Sequence, residues 1–251
     1  MSCVSQMIGC LSYSLEWLGV YQPKITSRQA KERLSFESVI WKEFQSDRSE
    51  FWNDFQIDTE TANHSHPLFT KANNCFQSNG IKKGVAVDLG CGFGTYTFNL
   101  LDRGWKVYAV DSSSKVLETL ATKVSTMGKN WIENGQLVLV NEKIEEFKFP
   151  EKVHLVTAVE SLPFCDPEKI NAIFLEIKNS LLPQGMLFCN FYSNYDNRIV
   201  QNVFKKMFGG WTTTKNVVDA LVESIDYKEW SVTEVMNPNK SAKQFHVIVQ
   251  G

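Results

Sequence analysis

The sequence predicts an α/β protein built on a mostly parallel sheet, from three observations. From residue 84 onward short apolar runs alternate with helical ones, and three glycines crowd positions 90–94 behind the first run. Two acids, Asp88 and Asp111, lie at the ends of the first two runs. Strict alternation of strand and helix implies parallel βαβ units with right-handed crossovers.

The elements follow in order. VAVDL (85–89) is a short apolar strand, then the glycines, then YTFNLLDRG, a helix ending near Gly104. WKVYAVD (105–111) is a second strand. SSKVLETLATKVSTMG (113–128) is a helix capped by a serine among 112–114 and stopped by Gly128. QLVLVN (136–141) and VHLVTAVES (153–161) are the third and fourth strands. Residues 166–182 form a helix that ends in LLPQG, read as a helix stop, before the fifth strand MLFCNFY (186–192). Helices around 196–208 and 214–224 precede a closing pair of strands, YKEWSVTEVM and QFHVIVQG.

The first 80 residues differ. Val4, Met7, Ile8, Leu11, Leu15 and Leu18 share one helical face, and Ala30, Leu34, Ile40, Trp41 and Phe44 repeat the pattern over 27–45. Phe51, Trp52 and Phe55 continue it, Asn63-His64-Ser65-His66-Pro67 breaks it, and 68–79 reads as another short helix. Such stripes pack against the rest of a protein or form a lid over a site. The expected division is a helical extension over 1–62, covering the site, and a ligand-binding domain over 63–251.

Composition narrows the function classes. The chain has 251 residues, 43% hydrophobic and 22% charged, with a formal net charge of −2. No basic field marks a polyanion partner, so nucleic acid is not expected. The six cysteines are scattered without C-x-x-C pairs or metal-type spacing, as in a reduced intracellular protein, and no metal site is expected. The first 23 residues carry one charged side chain, Glu16, but no basic n-region, and no 18-residue apolar run occurs anywhere. A soluble, cytoplasmic protein without a membrane span is expected.

The glycines carry the chemistry. Ligands of open parallel sheets bind beyond the carboxyl ends of the strands. Asp111 lies 21 residues after Gly90, placed to accept both hydroxyls of a ribose. A dinucleotide fingerprint needs G-x-G-x-x-G, but Thr95 stands at its third glycine, and Asp88 would repel a pyrophosphate. The pattern D-x-G-x-G-x-G suits instead a ligand with a ribose, an ammonium group and no phosphate. S-adenosylmethionine fits; a nicotinamide cofactor is opposed by Thr95 and Asp88.

VDLGCGFGTYTFNLLDRGWKVYAVDSS resembles the first motif and following strand of class I S-adenosylmethionine-dependent methyltransferases. ESLPFCDPEKINAIFLEIKNSLLPQGMLFCNFY resembles their fourth-to-fifth-strand region, with LLPQG where L-x-P-G-G is usual. The most similar branch is the small tellurite-resistance and thiopurine type, and the resemblance covers about 63–251. It implies a Rossmann-like class I methyltransferase fold: a seven-stranded, mostly parallel sheet with an antiparallel last strand. It implies S-adenosylmethionine as cofactor and S-adenosylhomocysteine as product. Carried over, it assigns Asp88, Gly90, Cys91, Gly92, Phe93 and Gly94 to the methionine end, Asp111 to the ribose and Ser112 to the adenine. Ile144 and Glu145 become adenine contacts, although Lys143 stands where the family has an acid. His154 replaces a common aspartate of the fourth strand and reads as a strand-edge residue. Val159 and Glu160 would lie beside the methyl group.

Methyl transfer is an in-line displacement in which the protein aligns donor and acceptor and excludes water. A general base is needed only where the acceptor loses a proton. Glu160-Ser161-Leu162-Pro163-Phe164 stands where enzymes acting on exocyclic base nitrogens carry Asn/Asp-Pro-Pro-Tyr, which disfavours a DNA amino-methylating enzyme. The polar candidates near the acceptor are Glu160, His64, His66, Tyr192 and His246, with Phe164, Trp211 and Tyr192 as apolar lining. None is singled out as the base. The expected function is methyl transfer to a small-molecule acceptor, with a protein acceptor as the nearest enzyme alternative. The rival is a cofactor-binding regulator or interaction protein without transfer activity.

Overall fold

The computed structural model describes residues 23–43, 45, 82–194, 209–236 and 243–251. The expected helices at 4–18, 68–79 and 196–208, the aromatic run 51–55, and His64 and His66 lie outside the described residues.

Helix α1 (Ser27–Glu43) comes first. The alternating part follows: β1 (Val85–Leu89), α2 (Thr95–Leu101), β2 (Lys106–Asp111), α3 (Ser114–Thr126), β3 (Leu137–Asn141) and β4 (Val153–Ala158). Two 3-10 turns, Leu162–Phe164 and Pro167–Lys169, lead into α4 (Ile170–Ser180). Next come β5 (Leu181–Ser193), β6 (Thr212–Thr213), α5 (Lys215–Glu223), β7 (Glu229–Met236) and β8 (Lys243–Gln250). The main sheet path is β3-β2-β1-β4-β5-β8-β7. The first five strands on that path run parallel, and β8 lies antiparallel between β5 and β7. This is the seven-stranded arrangement with an antiparallel last strand. The two-residue β6 is added: it pairs parallel with Tyr192 and Ser193, where β5 runs past the end of β4.

Side-chain alternation sorts the sheet into two cores. Ala86, Val107, Ala109 and Leu155 pack with Leu100 and Leu101 of α2 and Leu117, Leu120 and Val124 of α3. Val87, Leu89, Val110, Val156 and Ala158 face the opposite way, toward α4, α5 and the Ala30 and Leu34 stripe of α1. Helix α1 is thus part of the main core.

The local signals explain most boundaries. Ser113 caps α3, its Oγ accepting the Val116 N–H at 3.3 Å, and Gly128 turns the chain away at φ +64°. The helix expected over 166–182 is shorter. Asp166 accepts the Glu168 N–H, and Pro167 starts a 3-10 turn before α4 begins at Ile170. LLPQG, expected as the helix stop, lies beyond the helix, which ends at Ser180, and forms a bulge within β5. Val153 pairs with Leu181 and Leu155 with Met186, so five steps on β5 match two on β4. Gln184 at φ +66° makes the excursion possible. A Cβ on Gly185 would stand 2.8 Å from the Leu182 carbonyl, so only glycine fits where the chain folds back.

Candidate cofactor site at the glycine turn

Strand β1 delivers the chain to the sheet's carboxyl edge, where Gly90, Gly92 and Gly94 take φ of +70°, +50° and +82°. A side chain in this region would add about 1 kcal/mol of strain per residue. The Gly90 and Cys91 N–H groups both donate to the Val110 carbonyl, at 2.8 and 2.9 Å, and Gly94 N–H closes the turn onto the Cys91 carbonyl. Space is as limiting as conformation. A Cβ at Gly90 would lie 2.5 Å from Ser161 Cβ, and one at Gly94 2.4 Å from Leu120 Cδ1.

Asp88 sits behind this turn, 1% exposed. Its Oδ2 accepts the Thr97 hydroxyl and its Oδ1 the Thr157 hydroxyl, each at 2.7 Å. Burial raises its pKa, and the two hydroxyls oppose that shift. The carboxylate so ties β1 to the first turn of α2 and to β4. Asp111 closes the front. Its Oδ2 accepts the Gly92 N–H at 3.1 Å and its Oδ1 the Ser113 N–H at 2.9 Å. Burial raises its pKa, against hydrogen bonds from the Ser113, Gly92 and Ser112 amides. Each oxygen retains acceptor capacity beyond these amides. Asn141 supports the position from β3, donating to the Asp111 backbone carbonyl at 3.1 Å.

The other expected residues divide. Ile144 lies against the turn, its Cδ1 3.7 Å from the Gly90 Cβ position. Glu145 is engaged elsewhere, accepting the Asp166 N–H at 3.0 Å. Cys91 is buried, and burial together with Asp111 and Asp88 pushes its thiol pKa well up, so it is no nucleophile. Phe93 stacks under Lys123 Nζ at 4.7 Å, Ser112 is exposed and Val159 is buried among the α2–α3 core residues. His154, second residue of β4, accepts the Val85 N–H through Nδ1 at 3.2 Å. Trp211 is core: its Nε1 donates to the Cys165 carbonyl and its ring packs against Phe191.

Glu160 follows β4 at φ +58°, rare for a residue with a side chain. Its N–H donates to Asn190 Oδ1 at 2.7 Å, while its Oε1 accepts Asn190 Nδ2 at 2.9 Å and Gln244 Nε2 at 2.8 Å. Burial raises its pKa to about 7, the two amides opposing. Tyr192, two residues beyond Asn190 on β5, pairs with Thr212 of β6 and Gln244 of β8.

Sequence reasoning missed Thr97, Thr157, Ser161, Asn190 and Gln244. Asn190 had a signal, as a lone amide inside the apolar run MLFCNFY; the others look like ordinary polar residues. Ser161 is notable because its buried Oγ has no hydrogen-bond partner among the described residues. It lies 3.3 Å from the Gly90 Cβ position. A buried hydroxyl without a partner beside the glycine turn fits a polar ligand group laid there. Among the described residues no group of three His, Cys, Asp or Glu could hold a metal, and no helix is long and apolar enough to cross a membrane.

Residues 86–185 match a family model described as a methyltransferase domain. The chain is 26% identical over 174 residues to carboxy-S-adenosyl-L-methionine synthase of Shewanella sp. strain ANA-3, covering 63% of this chain and 70% of that protein. Burkholderia thailandensis 1,6-didemethyltoxoflavin-N1-methyltransferase, solved with 1,6-didemethyltoxoflavin and S-adenosylhomocysteine, superposes with a TM-score of 0.59 at 14% identity over 92% of each chain. TehB from Haemophilus influenzae gives 0.52 at 13% identity, covering 71% of this chain and 61% of TehB. These two likenesses are of fold.

Proposed function

We propose that this chain, a class I methyltransferase in its fold and in the domain at 86–185, binds S-adenosylmethionine and transfers its methyl group to a small-molecule acceptor. One observation carries the cofactor reading: Asp111 and Gly92 are joined at the crevice between β1 and β2, with glycines on either side that leave the backbone bare. Asp111 would hold the ribose hydroxyls. Gly90, Gly92 and Gly94 would let the methionine end lie on the main chain, and Ser161 Oγ would meet its ammonium or carboxylate. Ile144 would flank the adenine. The bound cofactor would supply an electrophilic methyl group; the protein's part is alignment and exclusion of water.

Helix α1 supports the reading of the N-terminal residues as a cover for the acceptor side. Ser38 Oγ donates to Asp166 Oδ1 at 2.5 Å, Asn216 Nδ2 to the Pro23 carbonyl at 3.0 Å, and Gln45 Nε2 to the Gly209 carbonyl at 3.0 Å. These contacts tie α1 and the residues flanking it to the segments that follow β4 and β5. A small acceptor is favoured by the weak net charge.

Calorimetric titration of the purified chain with S-adenosylmethionine, S-adenosylhomocysteine and NADH tests the cofactor. Micromolar binding of the sulfur compounds with no heat from NADH is expected. Binding of NADH alone would overturn the reading. Turnover with a panel of small acceptors then separates an enzyme from a cofactor-binding regulator.

A further inference from the structure

We propose that Glu160 compensates the charge of the site: its carboxylate faces the positive sulfur of the bound cofactor and takes the proton that a neutral O–H or ring N–H acceptor loses on methylation. The proposal rests on the cofactor reading above and names the acceptor class within it.

Placement comes first. Thr157 of β4 is bonded to Asp88, and Ser161 touches the Gly90 position. Glu160 lies between these anchors, at the carboxyl edge of β4 beside the glycine turn. Its backbone is held at φ +58°, a conformation that only a few per cent of such residues adopt, and its surroundings maintain it. Those surroundings are specific. Asn190 binds both the backbone N–H and the carboxylate of Glu160, and Gln244 adds a second donor from β8. Asn190 is 0% and Gln244 1% exposed, so two amides are fully buried to orient one carboxylate. These donors are neutral. They orient the carboxylate, and burial leaves the group poised near pH 7.

The chemistry balances with this one group. The lone pair on the acceptor's oxygen or nitrogen forms the bond to the methyl carbon, the carbon–sulfur pair returns to sulfur, and the acceptor's proton moves to the Glu160 carboxylate. A cation and a carboxylate become a neutral thioether and a carboxylic acid, so the step leaves the site's net charge unchanged. A tertiary amine or thioether acceptor has no proton to give and leaves the carboxylate no role.

Other titratable side chains lie near. His246 on β8 pairs across from Asn190, Tyr192 and Cys189 lie on β5, Asp88 on β1 and Cys165 beyond β4. Burial pushes the thiols of Cys189 and Cys165 up, out of the neutral range. Histidine is the residue whose chemistry overlaps.

Calorimetry in buffers of different ionisation heat counts protons exchanged on binding. S-adenosylmethionine is expected to release about half a proton at pH 7, and its affinity to fall up to tenfold per unit below pH 7. S-adenosylhomocysteine should release none. Glu160→Gln should abolish the release, and His246→Gln should retain it. Should Glu160→Gln fail to fold, Gln244→Leu serves: removing a donor to the carboxylate should move the midpoint of release to higher pH. Equal proton exchange for the two ligands overturns the proposal and leaves the cofactor assignment standing; binding of neither overturns both. Release lost in His246→Gln but kept in Glu160→Gln gives the role to the imidazole. Among acceptors, neutral phenols or ring N–H compounds should be methylated, and equal transfer to tertiary amines overturns the proton-acceptor role.

Discussion

Asp111 Oδ2 accepts the Gly92 N–H at 3.1 Å, so the acid ending β2 closes the turn that follows β1. One carboxylate both shapes the glycine turn and presents acceptor capacity to a ligand beside it. Loss of Asp111 should therefore act twice.

Asp111→Ala removes charged hydrogen bonds, each contributing about 1.5–3 kcal/mol. Affinity for S-adenosylmethionine is expected to fall at least tenfold in a folded variant, as read by calorimetry with circular dichroism as control. Unchanged affinity refutes the ribose assignment.

Gly90→Ala meets both strain and collision, because the new Cβ would stand 2.5 Å from Ser161 Cβ at φ +70°. Gly104 has φ +79° and nothing within 4 Å of its Cβ position, so Gly104→Ala meets strain alone. Gly104→Ala should cost about 1 kcal/mol, a fall in Tm of roughly 2–4 °C. Gly90→Ala should cost more and lose cofactor binding. Equal melting curves for the two variants would show that the turn yields to Ser161.

The pH dependence of stability should carry Glu160. Its folded pKa of about 7 lies above the ordinary 4.5, so the folded state binds the extra proton. The stability it contributes is present below pH 4.5 and is lost as pH rises through 7. The shift corresponds to about 3 kcal/mol. Glu160→Gln should gain on the wild type by that order between pH 4.5 and 8, measured by urea unfolding at several pH values. A constant difference across that range counts against the raised pKa.

Thr157→Val keeps shape while removing a hydroxyl donor from buried Asp88. A loss of about 1–3 kcal/mol is expected, the cost of leaving a buried acceptor short of a partner. Thermal unfolding near neutral pH reads it, and the loss should shrink at acid pH as Asp88 takes up a proton.

Ser38→Ala breaks the buried hydrogen bond from α1 to Asp166. Amide exchange in α1 should quicken while β1 and β4 keep their protection, because Ser38 lies at the edge where α1 meets the 3-10 turn. Uniform quickening would place α1 in the same cooperative unit as the sheet.

Much of this was legible in the sequence because it is local. The apolar runs, a serine cap among 112–114, Gly128 as stop and the D-x-G-x-G-x-G spacing each depend on residues within one or two turns of each other, and periodicity and backbone conformation reveal them. Asp111 was legible because strand and helix lengths in a βαβ unit place it beside the glycines. The bulge at LLPQG was misread because helix stop and strand bulge use the same proline and glycine; only pairing with Val153 and Leu155 separates them.

What only the tertiary structure decided is the wiring between distant strands. Asp88 meets Thr157 across 69 residues, and Glu160 meets Gln244 across 84. Glu145 accepts the Asp166 N–H across 21 residues. A sequence states which residues can donate and accept, but burial decides which must pair. Partners are set by strand order and register, which arise from packing the whole sheet, so the buried bonding of Glu160 emerged only once β4, β5 and β8 lay side by side.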